Sequence, residues 1–172
     1  MVFPIILGSL IGITLLGWLV GYSVLLKFVK RIEKRWSQLS RLLHRYERIV
    51  HKVVHKVQDS KRQHDLLLSL ASINDPSLTR HERLHWFNHI NALVKEIQEH
   101  EAPTFFNIQE ERIELEQLVT YISYEVQAYE HELQLYNKGI STAPTKFVAR
   151  IHQFENTYGD ASDDCKQTVT SN

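Results

Sequence analysis

A chain of 172 residues sets one main domain as the default, and 20 Lys and Arg against 20 Asp and Glu exclude a strong overall pull toward nucleic acid or acidic ligands. Six Gly and four Pro are too few for a many-turned β fold. A single cysteine, Cys165, excludes an internal disulfide and a Cys-based metal cage, whereas 10 His is a high count that calls for a role.

From Val2 to Leu26 no residue carries a charge. An α-helix needs roughly 20 apolar residues to cross a hydrocarbon core, so this run is expected to span a bilayer with length left for tilt. Pro4 lies near the start, where a helix tolerates it, and Trp18 and Tyr22 lie toward the other end, near an aromatic belt. No Lys or Arg precedes the run and no Ala-x-Ala follows it. A retained anchor over residues 1–27 is therefore expected, not a cleaved signal. Lys27, Lys30, Arg31, Lys34 and Arg35 follow at once. Basic flanks stay on the cytoplasmic side, so the N-terminus is expected outside and the remainder in the cytoplasm, at the inner (cytoplasmic) membrane. Gly8-x-x-x-Gly12 and Gly17-x-x-x-Gly21 have the spacing of close helix contacts, but at about 100° per residue the two pairs point to nearly opposite faces. They read as ordinary membrane-helix residues.

The next stretch, 28–74, has no Pro or Gly before Pro76, and Val29, Ile32, Trp36, Leu39, Leu43, Tyr46, Val50, Val53 and Val57 alternate in steps of three and four. This is a heptad seam, continuing less cleanly through Ser60, His64, Leu67 and Ala71. One helix is expected here, running on directly from the anchor and ending at Asn74-Asp75-Pro76. A second helix, 77–100, capped by Ser77 or Thr79, carries Leu84, Phe87, Ile90, Leu93, Val94 and Ile97 on one face. A third, 104–139, has the seam Leu115, Val119, Ile122, Val126, Tyr129, Leu133, Tyr136 and Ile140 and ends at Gly139. Within it Tyr136 belongs to the seam, while Asn137 is placed to cap or bridge to the turn at residues 141–144. Pro144 suits the first turn of a short helix, 144–158, with Phe147, Ile151, Phe154 and Tyr158 on its apolar face. Residues 159–172 are polar and lack periodicity, and read as a disordered tail. Apolar stripes joined by short connections lead to an all-α fold: an N-terminal transmembrane helix followed by an elongated antiparallel helical bundle over 28–158.

Charge sorts by helix. Between Lys27 and Arg62 twelve basic residues face three acidic ones, and between Lys95 and Glu132 ten Glu face two basic residues. Opposite signs favour packing those helices together, and the first basic cluster suits anionic membrane lipid.

Trp36-Ser37-Gln38-Leu39 with Leu43, Arg45, Ile49, Val50, Val53, Val54 and Val57 resembles the first motif of the LemA family. Tyr129, Leu133, Tyr136-Asn137 and Ile140 resemble its paired Tyr-Asn motif, and Ala143-Pro144-Thr145-Lys146-Phe147-Val148-Ala149 its Pro-Ser segment. The family's paired Arg is Arg45-Tyr46 here, its Pro-Asn is His51-Lys52, and its first Tyr-Asn is Tyr129-Glu130. The resemblance thus lies in the apolar positions. It implies a bacterial membrane-anchored helical bundle without known catalysis, and supplies no catalytic residue and no cofactor.

His81-Glu82-Arg83-Leu84-His85 matches H-E-x-x-H, in which two His one turn apart bind zinc and the Glu activates water. Glu99 or Glu101 would be the third ligand. Against this, Arg83 puts a cation inside the motif, and no sheet is expected for the helix to lie on. His81, His85 and His89 share one helical face, as do His51 and His55, a spacing that chelates transition metals or senses pH. A solvated helix surface explains the same spacing, with His64 at a seam position as an ordinary polar core residue. The reading is a non-catalytic binding or scaffold protein, its partners being membrane lipid and a second copy or another protein, with no nucleic acid. The alternatives are a membrane-bound zinc metalloprotease using His81, Glu82 and His85, and a His-based metal or pH sensor.

Overall fold

The computed structural model describes residues 2–57, 59–100, 109–143 and 145–152, with side chains except those of 2–5 and 109. Among the described residues the chain is helical, with five helices and no strand. They are α1 (Val2–Val54), α2 (Ser60–Ile73), α3 (Arg80–His100), α4 (Gln109–Ser141) and α5 (Thr145–Ile151). Packing divides the chain into two compact units, Ser37–Val126 and Met1–Trp36 with Gln127–Asn172. The expected helix positions 104–108 and 153–158 and the tail 159–172 lie outside the described residues.

The uncharged N-terminal run and the seam after it form one helix, α1, as the absence of a breaker between them implies. The helix expected over 28–74 is two. Lys56 N–H donates to Val53 O at 2.8 Å and Val57 N–H to Val54 O at 3.2 Å, tightening the end of α1 into i→i+3 turns. Asp59 then caps α2, its carboxylate accepting from the backbone N–H of Lys61 and Arg62. Gln63 Nε2 donates to the same Val54 O at 3.1 Å, a second hydrogen bond on a carbonyl in the last turn of α1. A side-chain cap ends this helix pair without Pro or Gly. The break also shifts the phase of the apolar face. Ser60, His64 and Ala71 are exposed, whereas Leu66, Ser69, Leu70 and Ile73 are buried. His64 is therefore a surface residue, not a core one.

In the unit Ser37–Val126, Leu39, Leu43, Tyr46, Val50, Val53 and Val57 of the first seam are buried. Also buried in this unit are Leu66 and Leu70 of α2, Phe87, Ile90, Val94 and Ile97 of α3, and Leu115, Leu118 and Ile122 of α4. The Tyr46 ring meets Phe87 edge-on, centroids 5.0 Å apart. The segregated charges meet across helices: Arg45 with Glu114, Lys56 with Glu111 at 3.2 Å, and Arg62 with Glu96 at 3.5 Å. These pairs are substantially solvent-exposed, so each contributes at most about 1 kcal/mol. They favour the pairing of helices more than they stabilise it, and apolar burial supplies most of the stability.

The other unit is built on Leu25 and Ile32 of α1, Tyr129 and Tyr136 of α4, and Val148 and Ala149 of α5. The Trp36 and Tyr129 rings pack at a tilt, 5.6 Å between centroids. Gly139 lies inside α4 instead of ending it, and an added Cβ there would come within 3.3 Å of Phe28. Its lack of a side chain permits the close approach of that ring. The turn to α5 is closed by threonines. Thr142 Oγ1 donates to Lys138 O at 2.7 Å, and Thr145 Oγ1 donates to Thr142 O at 2.7 Å and to Gly139 O. Asn137 does not bridge to this turn through its side-chain oxygen. That atom is buried and, among the described residues, finds no hydrogen-bond partner.

The face of α5 also differs from the expected one. Thr145, Val148 and Ala149 point inward, and Phe147 and Ile151 are 66% and 63% exposed. This face seats on Gly21 of α1: a Cβ there would sit 3.1 Å from Val148 Cγ2, so the missing side chain makes room for Val148. Phe154 and Tyr158 lie outside the described residues.

Tyr136 is 0% exposed, whereas Gln134 is exposed. Tyr136→Ala should therefore cost about 3 kcal/mol and Gln134→Ala almost nothing, read from thermal melts of the full chain in detergent. Equal melting of the two variants would mean that Tyr136 packs no core.

Candidate functional site

The most unusual surface of the molecule is the first part of α1. Leu10, Ile13, Leu16 and Leu19 are 63%, 69%, 64% and 63% exposed, on all sides of the helix. Only 11% of the most apolar 18-residue window is buried, unlike the core helix of a water-soluble domain. It is the one helix among the described residues long and apolar enough to cross a membrane. The polar groups along it are turned inward onto the backbone. Thr14 Oγ1 donates to Leu10 O at 2.8 Å and Ser23 Oγ to Val20 O at 2.9 Å, so neither hydroxyl needs water. Gly8, Gly12 and Gly17 have open space where a side chain would be, and Gly21 alone of the four is covered, by α5.

A collar of cations follows. Lys27, Lys30, Arg31 and Lys34 are exposed and Arg35 is half-buried. The Arg31 guanidinium lies 5.9 Å from the Phe28 ring centroid. One helix thus presents an apolar surface and then a basic one, an order that suits the two sides of a lipid headgroup layer.

The H-E-x-x-H match has a structural occupation. Thr79 and Glu82 form a capping box at the start of α3. Thr79 Oγ1 accepts from Glu82 N–H at 3.3 Å, while the Glu82 carboxylate accepts from Thr79 N–H and from its hydroxyl, each at 2.7 Å. These hydrogen bonds from the Thr79 side chain and backbone hold the Glu82 carboxyl below the usual carboxylate range. A poised general base is normally raised toward neutrality. Arg83 reaches back to Asp75 O at 3.5 Å, and Asp75 accepts from the hydroxyl and N–H of Ser77, which lowers its own pKa. His81, His85 and His89 are exposed along α3, and Glu99 is exposed near its end. Glu101 lies outside the described residues. His51 is within α1 but His55 falls in the turn after it, so these two do not share a helix. Among the described residues no three His, Cys, Asp or Glu side chains are grouped as metal ligands.

One feature was not legible in the sequence. Within the unit Ser37–Val126 an open cavity of about 260 Å³ is lined by Tyr46, Val94, Leu115 and Val119, with Asn91, Lys95, Gln98, Glu116 and Thr120 also lining it. The Tyr46 hydroxyl is buried and, among the described residues, finds no hydrogen-bond partner; burial pushes its pKa up. The heptad pattern identifies Tyr46 as a seam residue, but whether its hydroxyl is satisfied depends on α3 and α4.

No family model, curated protein or solved structure matches this chain.

Three outcomes are expected. Thr79→Ala should cost about 1 kcal/mol through loss of the cap. The stability contributed by ionised Glu82 should be present above the ordinary carboxylate range and lost as pH falls through it, because the folded carboxyl titrates below the unfolded one. In Glu82→Gln that pH dependence should vanish, and denaturation midpoints at several pH values compare the two. Tyr46→Phe should melt at or above the wild type, since it removes an unsatisfied buried hydroxyl. A loss beyond about 1 kcal/mol there would show that the hydroxyl has a partner in solution.

Proposed function

We propose that this chain is a single-pass membrane protein that acts as a binding or scaffold protein at the bacterial cytoplasmic membrane, without catalysis. The observation that carries the reading is the exposed apolar surface of α1 up to Val20, which water would not tolerate and a bilayer would. The cationic collar from Lys27 to Arg35 supports an orientation with the N-terminus outside and the following helices in the cytoplasm. A divergent LemA-type bundle is the family we propose. In its favour, Trp36, the first residue of one resembling stretch, packs against Tyr129 of another, in the core that holds Tyr136. The non-catalytic reading is supported by Glu82, whose carboxylate is committed to capping α3, and by the solvated positions of His81 and His85. The proposed partners are membrane lipid and a protein surface, including a second copy of this chain.

Topology is the direct test. A cysteine replacing Tyr124, which is 65% exposed on α4, in a Cys165→Ser background should resist a membrane-impermeant maleimide in intact cells and react after permeabilisation. Ready labelling in intact cells would reverse the orientation. Stoichiometric zinc in the purified protein, lost in His85→Ala, would instead favour a metalloenzyme.

A further inference from the structure

The uncharged run in the sequence extends to Leu26, but the structure does not leave all of it free. Gly21 and Leu25 are buried, covered from within the same unit by α4 and α5. Trp18 aside, which is half-buried, the exposed apolar stretch ends at Val20. From Val2 to Val20 the helix rises roughly 28 Å, close to the roughly 30 Å of a hydrocarbon core. The lipid boundary on this helix therefore falls near Gly21 and Tyr22, about 9 Å before the first charge at Lys27.

The short helix α5 sits at that level. Val148 and Thr145 pack on Gly21, and the His152 ring lies 5.7 Å from the Trp18 ring and 5.2 Å from that of Tyr22. With Val148 and Ala149 turned onto α1, the outer side of α5 carries Phe147 and Ile151 one turn apart, and Lys146 and Arg150 one turn apart beside them, all four exposed. An apolar ridge next to a cationic ridge is the pattern of a helix lying in a membrane surface, its apolar side among acyl chains and its cations against phosphates.

We propose that α5 is a membrane-surface element that inserts Phe147 and Ile151 into the boundary layer of an anionic bilayer while Lys146 and Arg150 contact its headgroups. The proposal rests on α1 being the membrane span and adds what the span alone does not require: a second point of lipid contact, far along the chain from the first. Seven residues bind lipid weakly when free, but α1 already holds α5 at the surface, so the contact is effectively intramolecular. Two points of contact would limit the tilt and rotation of α1 about its own axis.

The test uses the full chain in a Cys165→Ser background, reconstituted in vesicles of phosphatidylcholine with phosphatidylglycerol. An environment-sensitive dye is attached at one of three cysteines, Ile13→Cys, Phe147→Cys or Tyr124→Cys. Lipids carrying a shallow acyl-chain quencher should remove roughly half of the emission at 147, as expected for a side chain in the interfacial layer, and should leave 124 unaffected. A deep-chain quencher should act on 13. Quenching at 13 with water-like emission at 147 overturns the proposal and leaves the span intact. Blue-shifted emission at 147 that lipid quenchers do not touch also overturns it, because protein, such as a second copy, then covers the ridge. Absence of quenching at both 13 and 147 overturns the span and the proposal together. Quenching at 147 alone supports surface contact by α5 and overturns the span. Gly21→Leu, which removes the seat of Val148, should reduce the quenching at 147 without changing that at 13.

Discussion

The apolar surface of α1 is larger than the remaining described helices cover, and most of the architecture follows from how that surface is shared out. From Gly21 onward the seam is closed by partners: Val148 and Ala149, then Tyr136 and Tyr129 in one unit, and the side chains of α2, α3 and α4 in the other. Before Gly21 the described residues cover little of it, chiefly Trp18 beside the His152 ring. Leaving a helix apolar on all sides in water would forfeit about 25 cal/mol for every Å² exposed. The same helix in lipid loses nothing, since its backbone groups are satisfied internally and Thr14 and Ser23 bond to its own carbonyls.

Small residues decide where closure begins. Gly21 admits Val148 and Thr145, and Gly139 admits the Phe28 ring. A Cβ at Gly21 would meet Val148 at 3.1 Å and one at Gly139 would meet Phe28 at 3.3 Å, closer than ordinary van der Waals contact, so either seam would have to shift to admit it. Aromatic residues do the filling: Trp36 against Tyr129 in one core, Tyr46 against Phe87 in the other. The opposite charges of α1 and α4, Arg45 with Glu114 and Lys56 with Glu111, lie outside these cores. There they select the pairing without having to be desolvated.

The polar motifs of α3 are explained by the helix itself. A Thr followed three residues later by Glu is a helix start, and that Glu is the one in the H-E-x-x-H match. Histidines spaced by four on an exposed helix face are what a solvated surface tolerates as readily as a metal site requires. The capping signal, Thr79 to Glu82, overlaps the zinc-binding one, His81 to His85, and both claim the same Glu82. The carboxylate geometry favours the cap.

The sequence by itself determined that the chain is helical, that its first segment is apolar over a bilayer's length, and that Leu39, Leu43, Val50, Tyr129 and Tyr136 face a core. Each of these depends on composition or on the 3.6-residue period, which are properties of neighbouring positions. The break between α1 and α2 was half legible: Asp59 before Ser60 is a cap signal, but the weakening seam around it reads equally as a fading coiled coil. Tertiary structure alone decided the exposed side of α5, the end of the free apolar surface at Val20, and the unpartnered hydroxyl of Tyr46. The apolar residues of α5 permit either face inward, and the face that is covered is the one seated on Gly21, far away in the chain. Which apolar side chain is covered depends on the shape of what it meets, and no local pattern carries that shape.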